Sequence, residues 1–370
     1  MATMATKPRY IMVGGFLGAG KTTAILQLAE RFRAQGQRVG LITNDQSVGL
    51  VDTSMLASHD FPVEEITGGC FCCKFGSLTE AAEKLTEAEK PDVFLAEPVG
   101  SCTDLAATVS YPLRRLYGDN FSLSPFSVLI DPVRAERILG LAAGKSFSPK
   151  VVYIYKKQLE EADIIIVNKV DTLDPVRAQT LLEKLRADYP NAQVIPFSAR
   201  HGTHLDKWAA LIENVDMTAR ASMDVDYDTY ADGEALLGWM NLTASVTADR
   251  LFDGNAFLAA FMKQLHGTLK EHGFEIAHLK ASLSPFEGAD IAVMNVVRTD
   301  GRVETSHELS DELESGELIV NLRAEADPEI LKTLVLAVLS ETAMLNKVNA
   351  DVEHEEAFRP GRPVPTHRDK

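Results

Sequence analysis

Ten residues near the start of the chain, Gly14-Gly-Phe-Leu-Gly-Ala-Gly-Lys-Thr-Thr23, constrain its architecture more than any other stretch. An apolar run, Tyr10-Ile-Met-Val13, leads into them, and a helical pattern over residues 24–32 follows. Gly15-x4-Gly20-Lys21-Thr22 is the P-loop spacing, placed in the strand-to-helix setting that it requires. Glycines let the backbone curl so that successive N–H groups point at a phosphate, and the helix N-terminus adds its positive dipole end. Gly15, Gly18, Ala19, Gly20, Lys21, Thr22 and Thr23 are therefore the candidate phosphate ligands. Lys21 is placed to reach the β- and γ-phosphates, and the Thr22 hydroxyl to ligate Mg²⁺. The plainer account, a glycine-rich turn with a chance Lys-Thr, fits the flanking strand and helix poorly.

Further apolar runs recur at residues 38–43, 61–66, 92–97, 127–131, 164–167 and 193–197, separated by helical stretches. Buried strands alternating with helices predict an α/β fold with a mostly parallel sheet covered on both faces. Residues 111–125, with Arg114 and Arg115, read as an irregular insertion. This first domain is expected to span 1–215. Asp224, Asp226, Asp228 and Asp232 make 216–235 an acidic linker, although the same carboxylates suit a metal-capturing segment. Strand and helix patterns over 236–347 predict a smaller α+β domain in the order β-α-β-β-β-α. The remaining residues, 348–370, carry a Pro-rich end and read as a mobile tail.

Asn168-Lys-Val-Asp171 ends a predicted strand, and Ser198-Ala199 ends the next. A buried Asp carboxylate at position 171 accepts two hydrogen bonds from guanine, whereas adenine would leave it unpaired at a cost. Lys169 then lies along the base, Asn168 ties this loop to the phosphate loop, and the Ser198-Ala199 backbone faces the guanine oxygen. The nucleotide is expected to be GTP. Asp45 and Glu97 end strands on the side where open α/β sheets bind ligands, so both join Thr22 as candidate Mg²⁺ ligands. Glu97 is favoured over Asp45, and Lys21 and Glu97 are the candidate catalytic pair. Gly100 is placed to give an N–H to the γ-phosphate. The competing account makes either carboxylate a helix or loop cap.

Three of the four cysteines fall in Gly68-Gly-Cys-Phe-Cys-Cys73, and the fourth is Cys102. Crowding of this kind does not build a disulfide framework. Thiolates at Cys70, Cys72 and Cys73 suit Zn²⁺, Co²⁺ or another borderline-soft metal, with Cys102, water or a client's side chain as the fourth ligand. Buried or redox-active thiols are the alternative. A formal net charge of −16 argues against a nucleic-acid or anionic-membrane binder. No apolar run approaches a membrane span and the N-terminus lacks an apolar signal core, so a reducing cytoplasmic setting is expected.

GGFLGAGKTT, GGCFCC, EPVG, the QLEEAD run before IIIVNKVD, and the Ser-Ala pair together resemble the CobW-type subgroup of metal-handling P-loop GTPases. The resemblance covers roughly residues 9–215. Beyond it, His278-Leu-Lys-Ala is a weak echo of a basic motif in the CobW C-terminal domain. The resemblance implies GTP hydrolysis coupled to binding and delivery of a transition metal, zinc or cobalt, to a client metalloenzyme, and a nucleotide-dependent homodimer. The runner-up within the same family is a GTPase chaperone that gates cofactor loading of a corrinoid enzyme. A small-molecule kinase is a third reading, without a recognisable acceptor pocket. Two departures from the subgroup stand out. Asn44-Asp-Gln-Ser47 replaces an acidic Asn-Glu-Phe-Gly-Glu loop, which favours Asp45 as a magnesium ligand and removes carboxylates. Glu97-Pro-Val-Gly100 replaces the common Glu-Thr-Thr-Gly.

Overall fold

The computed structural model describes residues 7–45, 51–57, 59–217 and 221–369, so Gln46, Ser47 and the N-terminal arm fall outside the described residues. The chain divides into two compact units. One comprises Met1–Gln46, Phe61–Tyr230 and Pro363–Lys370; the other comprises Ser47–Asp60 and Ala231–Arg362.

In the first unit, β1 (Arg9–Gly15) runs through the loop into α1 (Lys21–Ala34), followed by β2 (Val39–Asn44). Helix α2 (Val51–Ala57) belongs to the second unit. The chain returns with β3 (Val63–Ile66), α3 (Phe75–Glu89) and β4 (Val93–Glu97). A π-helical stretch, Ala106–Ser110, then continues into α4 (Tyr111–Tyr117) and a short β5 (Ser122–Leu123). After these come β6 (Ser127–Ile130), α5 (Pro132–Ile138), α6 (Pro149–Glu161), β7 (Ile164–Val167) and α7 (Pro175–Asp188). Strand β8 (Gln193–Pro196) and α8 (Leu205–Asn214) complete the run, and the division between the units falls within α9 (Tyr227–Ala235).

The strand order is β3-β2-β4-β1-β6-β7-β8, with β5 pairing the outer part of β1, and all the pairings are parallel. The phosphate-loop strand β1 is therefore central. Its residues Ile11, Met12 and Val13 are buried, as are Leu95 on β4 and Ile165 and Ile166 on β7. Continuous apolar runs of this kind are what a parallel sheet covered on both faces requires. Thr43 of β2 pairs with Glu97 of β4, and Met12 of β1 with Ala96, so the C-terminal ends of these strands lie side by side.

The second unit is a six-stranded antiparallel sheet built from β9 (Leu237–Phe252), β10 (Glu275–Pro285), β11 (Ala292–Val296), β12 (Glu304–His307), β13 (Leu313–Glu325) and β14 (Asn349–Phe358). The order is β12-β11-β10-β13-β9-β14. Helices α10 (Gly254–Glu271) and α11 (Pro328–Asn346) share a core with this sheet through Phe257, Phe261, Leu265, Leu331 and Val335. Helix α2 joins the same unit: Val51 packs with Ile291, Val293 and Ile319, its N–H donates to Asn321 Oδ1, and Asp52 pairs with Lys280. The α/β-plus-α+β expectation holds. No helix of the described residues is long and apolar enough to cross a membrane.

Three local expectations are corrected. Residues 111–125 are not an irregular insertion, because α4 starts with Pro112 in its first turn and follows directly from the π-helical stretch. The linker expected over 216–235 contains α9, and Met217 N–H donates to the Leu123 carbonyl; residues 218–220 lie outside the described residues. The tail expected over 348–370 is largely ordered: β14 pairs along β9, and the last residues return to the first unit. Charged alternation along β14 hid a strand that is one edge of its sheet.

Candidate nucleotide and metal site

Two glycines in the phosphate loop have no tolerable replacement in their conformation. Gly15 has φ +127°, and a Cβ there would sit 2.1 Å from the Leu129 carbonyl oxygen. Gly20 has φ +86°, with its Cβ position 2.5 Å from Asn168 Nδ2. The loop closes on itself where Ala19 N–H donates to the Phe16 carbonyl at 3.1 Å. Helix α1 then begins at Lys21 without a side-chain cap, the arrangement in which first-turn amides face an anion.

Lys21, Thr22 and Glu97, proposed from sequence, do come together. The Lys21 ammonium is 3.6 Å from Glu97 Oε1, and the Thr22 hydroxyl donates to the same oxygen at 3.4 Å. Lys21 and Glu97 are only 7% and 8% exposed. Gly100 is pressed against this loop, since a Cβ there would lie 3.0 Å from the Leu17 amide nitrogen.

The Asn168-Lys169 segment reaches the loop from β7. Asn168 Nδ2 donates to the Ala19 carbonyl at 2.8 Å, and its Oδ1 accepts the Ala199 N–H at 3.0 Å. Lys169, in a left-handed conformation at φ +54°, donates to the Gly18 carbonyl at 3.0 Å and pairs with Asp131 at 3.4 Å. Ser198 is buried beside Ala199. Asp171 lies in the 3-10 turn Val170–Thr172, its carboxylate 3.8 Å from His201 Nε2. Sequence reasoning missed two supports. Buried Arg134 donates to the Leu17 carbonyl at 2.7 Å and stacks over Phe16 and Phe147. Gln158 Nε2 donates to the carbonyls of Gly100 at 3.0 Å and Cys102 at 2.8 Å. Arg134 carries no motif, and Gln158, although it opens the QLEEAD run, has backbone partners more than 50 residues away that the run does not announce.

The cysteine loop begins with two glycines at positive φ, Gly68 at +73° and Gly69 at +152°. Cys73 N–H and Lys74 N–H both donate to the Cys70 carbonyl, which folds the loop into a turn. Cys70 Sγ is 2.8 Å from Cys72 Sγ and 3.1 Å from Cys73 Sγ, and the latter two are 3.7 Å apart. All three ligand atoms lie within 4.8 Å of one another. A tetrahedral ion with metal–sulfur bonds of about 2.3 Å sets its sulfurs about 3.8 Å apart, so the trio needs to open by no more than about 1 Å. Hydrogen bonds shared with Cys102, Cys72 and Cys73 hold Cys70 far below the usual thiol range. Hydrogen bonding to Cys70, together with burial, pushes Cys72 and Cys73 up, Cys73 to about 11. Cys102 touches Cys70 but stands outside the close trio.

Asn44, at the end of β2, organises this loop. Its Nδ2 donates to the carbonyls of Ile66 and Gly69, at 3.0 and 2.7 Å, and its Oδ1 accepts the Phe71 N–H at 2.9 Å. The neighbouring Asp45 donates its N–H to the Ile66 carbonyl. Burial, reinforced by the Asp45 charge, pushes the Glu65 carboxyl up to about 7.

The family model described as "CobW/HypB/UreG, nucleotide-binding domain" matches residues 9–196, just over half of the chain. The chain belongs to the CobW/HypB/UreG family. Among curated relatives, the zinc chaperone YeiR of Escherichia coli K12 is 32% identical over 173 residues, covering 46% of this chain and 49% of that protein. The zinc chaperone CobW of Sinorhizobium sp is 28% identical over 182 residues, covering 44% and 51%. The chain spans about half the length of these relatives in the matched region. A solved structure of Helicobacter pylori HypB in complex with nickel is 17% identical, covering 58% of this chain and 92% of that one, with a TM-score of 0.43.

Proposed function

We propose that this CobW-family chain is a GTP-binding and GTP-hydrolysing metallochaperone that couples nucleotide state to binding and delivery of zinc or cobalt. The observation that carries this reading is the double role of β2 and β4. Asn44, ending β2, holds the cysteine loop, and its neighbour β4 ends in Glu97, which contacts Thr22 and Lys21 of the phosphate loop. The two relatives that are zinc chaperones point the same way.

In this reading Gly15, Gly18, Ala19, Gly20, Lys21, Thr22 and Thr23 hold the phosphates, while Asn168, Lys169, Asp171, Ser198 and Ala199 hold guanine. Thr22 and Glu97, with Asp45 on the adjoining strand, are the Mg²⁺ ligands. Bound Mg²⁺ supplies charge neutralisation across the β- and γ-phosphates. Lys21 adds a fixed positive charge on the same phosphates, and the Glu97 carboxylate positions both Thr22 and Lys21. Gly100, pinned by Gln158, senses the γ-phosphate, and Cys102 two residues later touches Cys70. Loss of the γ-phosphate is thereby transmitted to the metal loop. The cargo ion is taken by Cys70, Cys72 and Cys73, with release of thiol protons. Such thiols stay reduced in a cytoplasmic setting, and the partner is a client metalloprotein.

Equilibrium dialysis of zinc and cobalt, with GTP turnover followed in parallel, tests the proposal. One metal per chain, lost in Cys70→Ser, Cys72→Ser and Cys73→Ser, and a GTPase rate that responds to that metal are expected. Unchanged metal content in all three variants would sink it. GTP turnover without bound metal, together with capture of a corrinoid enzyme, would move the assignment to the cofactor-loading alternative.

A further inference from the structure

The last residues of the chain lie on the cysteine loop. Thr366 N–H donates to the Cys72 carbonyl at 2.8 Å, the Thr366 hydroxyl to the Cys73 carbonyl at 3.1 Å, and Val364 N–H to Cys73 Sγ at 3.3 Å. His367 stands edge-on to Phe75, just past the loop, with ring centroids 4.9 Å apart. On the other side the segment grips the stretch that follows Cys102. Arg368 Nε donates to Asp104 Oδ2 at 2.7 Å, Asp369 N–H donates to the Ala107 carbonyl at 2.9 Å, and Asp369 pairs with Arg115 at 2.9 Å. Asp104 is buried and also accepts the Tyr227 hydroxyl at 2.7 Å, so the Arg368 anchor is prepared in advance.

Sequence explains why this segment docks so economically. It reads Pro363-Val-Pro-Thr-His-Arg-Asp369. Prolines fix φ and favour an extended chain, which lowers the entropy lost on binding. Pro363 and Pro365 lack N–H groups, and the two amides that flank Pro365, those of Val364 and Thr366, are both spent on the metal loop. The hold is nevertheless slight. The Val364 side chain is 70% exposed, and a surface ion pair such as Arg115–Asp369 is worth little in water. A short extended segment held by hydrogen bonds and ion pairs, without a buried apolar anchor at Val364, opens locally at lower cost than the sheet core.

We propose that residues 363–369 are a displaceable peptide cover on the metal loop, controlling how fast a bound ion exchanges and marking the face at which an extended segment of a client pairs. The inference rests on the metallochaperone reading above. Cys73 is the partly exposed member of the trio, and the Val364 amide occupies its sulfur. Removing the cover exposes that sulfur to an acceptor without removing a metal ligand. The backbone acceptors at Cys72 and Cys73 are what an incoming extended segment would use, as in strand addition.

Full-length Val364→Pro removes one donor and keeps an extended chain; Thr366→Pro and Arg368→Glu remove the other contacts. Zinc-loaded wild type and the three variants are mixed with excess 4-(2-pyridylazo)resorcinol, and zinc release is timed. Loss of one or two such hydrogen bonds is expected to speed release about threefold to tenfold, with zinc stoichiometry unchanged. Release at the wild-type rate in all three variants, from wild type that holds zinc, overturns the cover. A second measurement separates the two proposals: maleimide labelling of Cys73 in metal-free protein. If wild type binds no zinc, the metal reading falls, and labelling alone decides. Faster labelling in the variants supports the cover, and equal labelling overturns it.

Discussion

The Asn44 carboxamide accepts the Phe71 N–H at 2.9 Å and donates to the Gly69 carbonyl at 2.7 Å, so one side chain at the end of β2 sets the shape of the cysteine loop. Asn44 is buried, and its third bond, to the Ile66 carbonyl, ties β3 into the same arrangement. Asn44→Ala removes the side-chain partner of the Phe71 N–H and the Gly69 carbonyl, while the Ile66 carbonyl keeps the Asp45 N–H, at a cost of roughly 2–3 kcal/mol. Supports of this type also govern metal affinity, by roughly tenfold to a hundredfold. Denaturant unfolding and a zinc competition titration on Asn44→Ala should show both losses. Wild-type zinc affinity in a folded variant would show that the loop holds its shape unaided.

Gly20→Ala is expected to damage the phosphate loop through Asn168. A Cβ at Gly20 would lie 2.5 Å from Asn168 Nδ2, the atom that bonds the Ala19 carbonyl. The left-handed backbone at this position adds about 1–2 kcal/mol of strain for any residue with a Cβ. Affinity for a fluorescent GDP analogue should fall by roughly tenfold or more on this energy scale, while Gly36→Ala, where nothing lies within 4 Å of the added carbon, serves as a comparison at positive φ. Equal losses in the two variants would leave backbone strain alone as the cause.

How much of this was legible in the chain follows from how local each feature is. The phosphate loop, Asn168-Lys-Val-Asp171 and the cysteine trio are short patterns whose spacing carries their chemistry, and the structure places Lys21 with Glu97 and Asn168 with Ala19. Asn44 was visible only as a neighbour of Asp45, because its partners lie more than 20 residues away. Strand β14 was hidden by its charged residues, which an edge strand tolerates. Tail residues Val364, Thr366 and Arg368 depend on contacts some 260–290 residues distant, and no periodicity announces such pairing. The same holds for the 47–60 segment, which leaves the parallel sheet after β2 and contributes α2 to the second unit.

Base selection should rest on Asp171. A carboxylate there accepts the two N–H groups of guanine, and Asp171→Asn turns one acceptor into a donor. GDP affinity should drop by roughly two orders of magnitude when a site built for hydrogen bonds is mismatched in this way. Xanthosine diphosphate, which presents a carbonyl where guanine presents an amino group, should gain affinity in the same variant. Competition binding with the two nucleotides checks both directions, and a parallel loss for both would mean that the turn Val170–Thr172 had collapsed.

Glu161 gives the chain a pH dependence of stability with a definite sign. Ending α6, it is buried and accepts the Thr103 hydroxyl at 3.1 Å and the Ala106 N–H at 2.9 Å, on either side of buried Asp104. Burial raises its carboxyl from 4.5 to about 8, with the Asp104 charge adding to the rise. An acid whose folded value lies above its unfolded value stabilises the fold fully below the unfolded value, and that contribution disappears as pH climbs through the folded one. Between about pH 4.5 and 8, Glu161 should therefore remove up to about 1.4 kcal/mol of stability per pH unit. Glu161→Gln, which stays neutral, should lose that slope: relative to wild type it should gain stability steadily from pH 5 to pH 8.5. Urea unfolding of the metal-free, reduced proteins across this range measures the difference directly, so other titrating groups such as Glu65 cancel. Curves that run parallel from pH 5 to 8.5 would show that Glu161 remains ionised in the fold, held by its hydrogen-bond donors despite its burial.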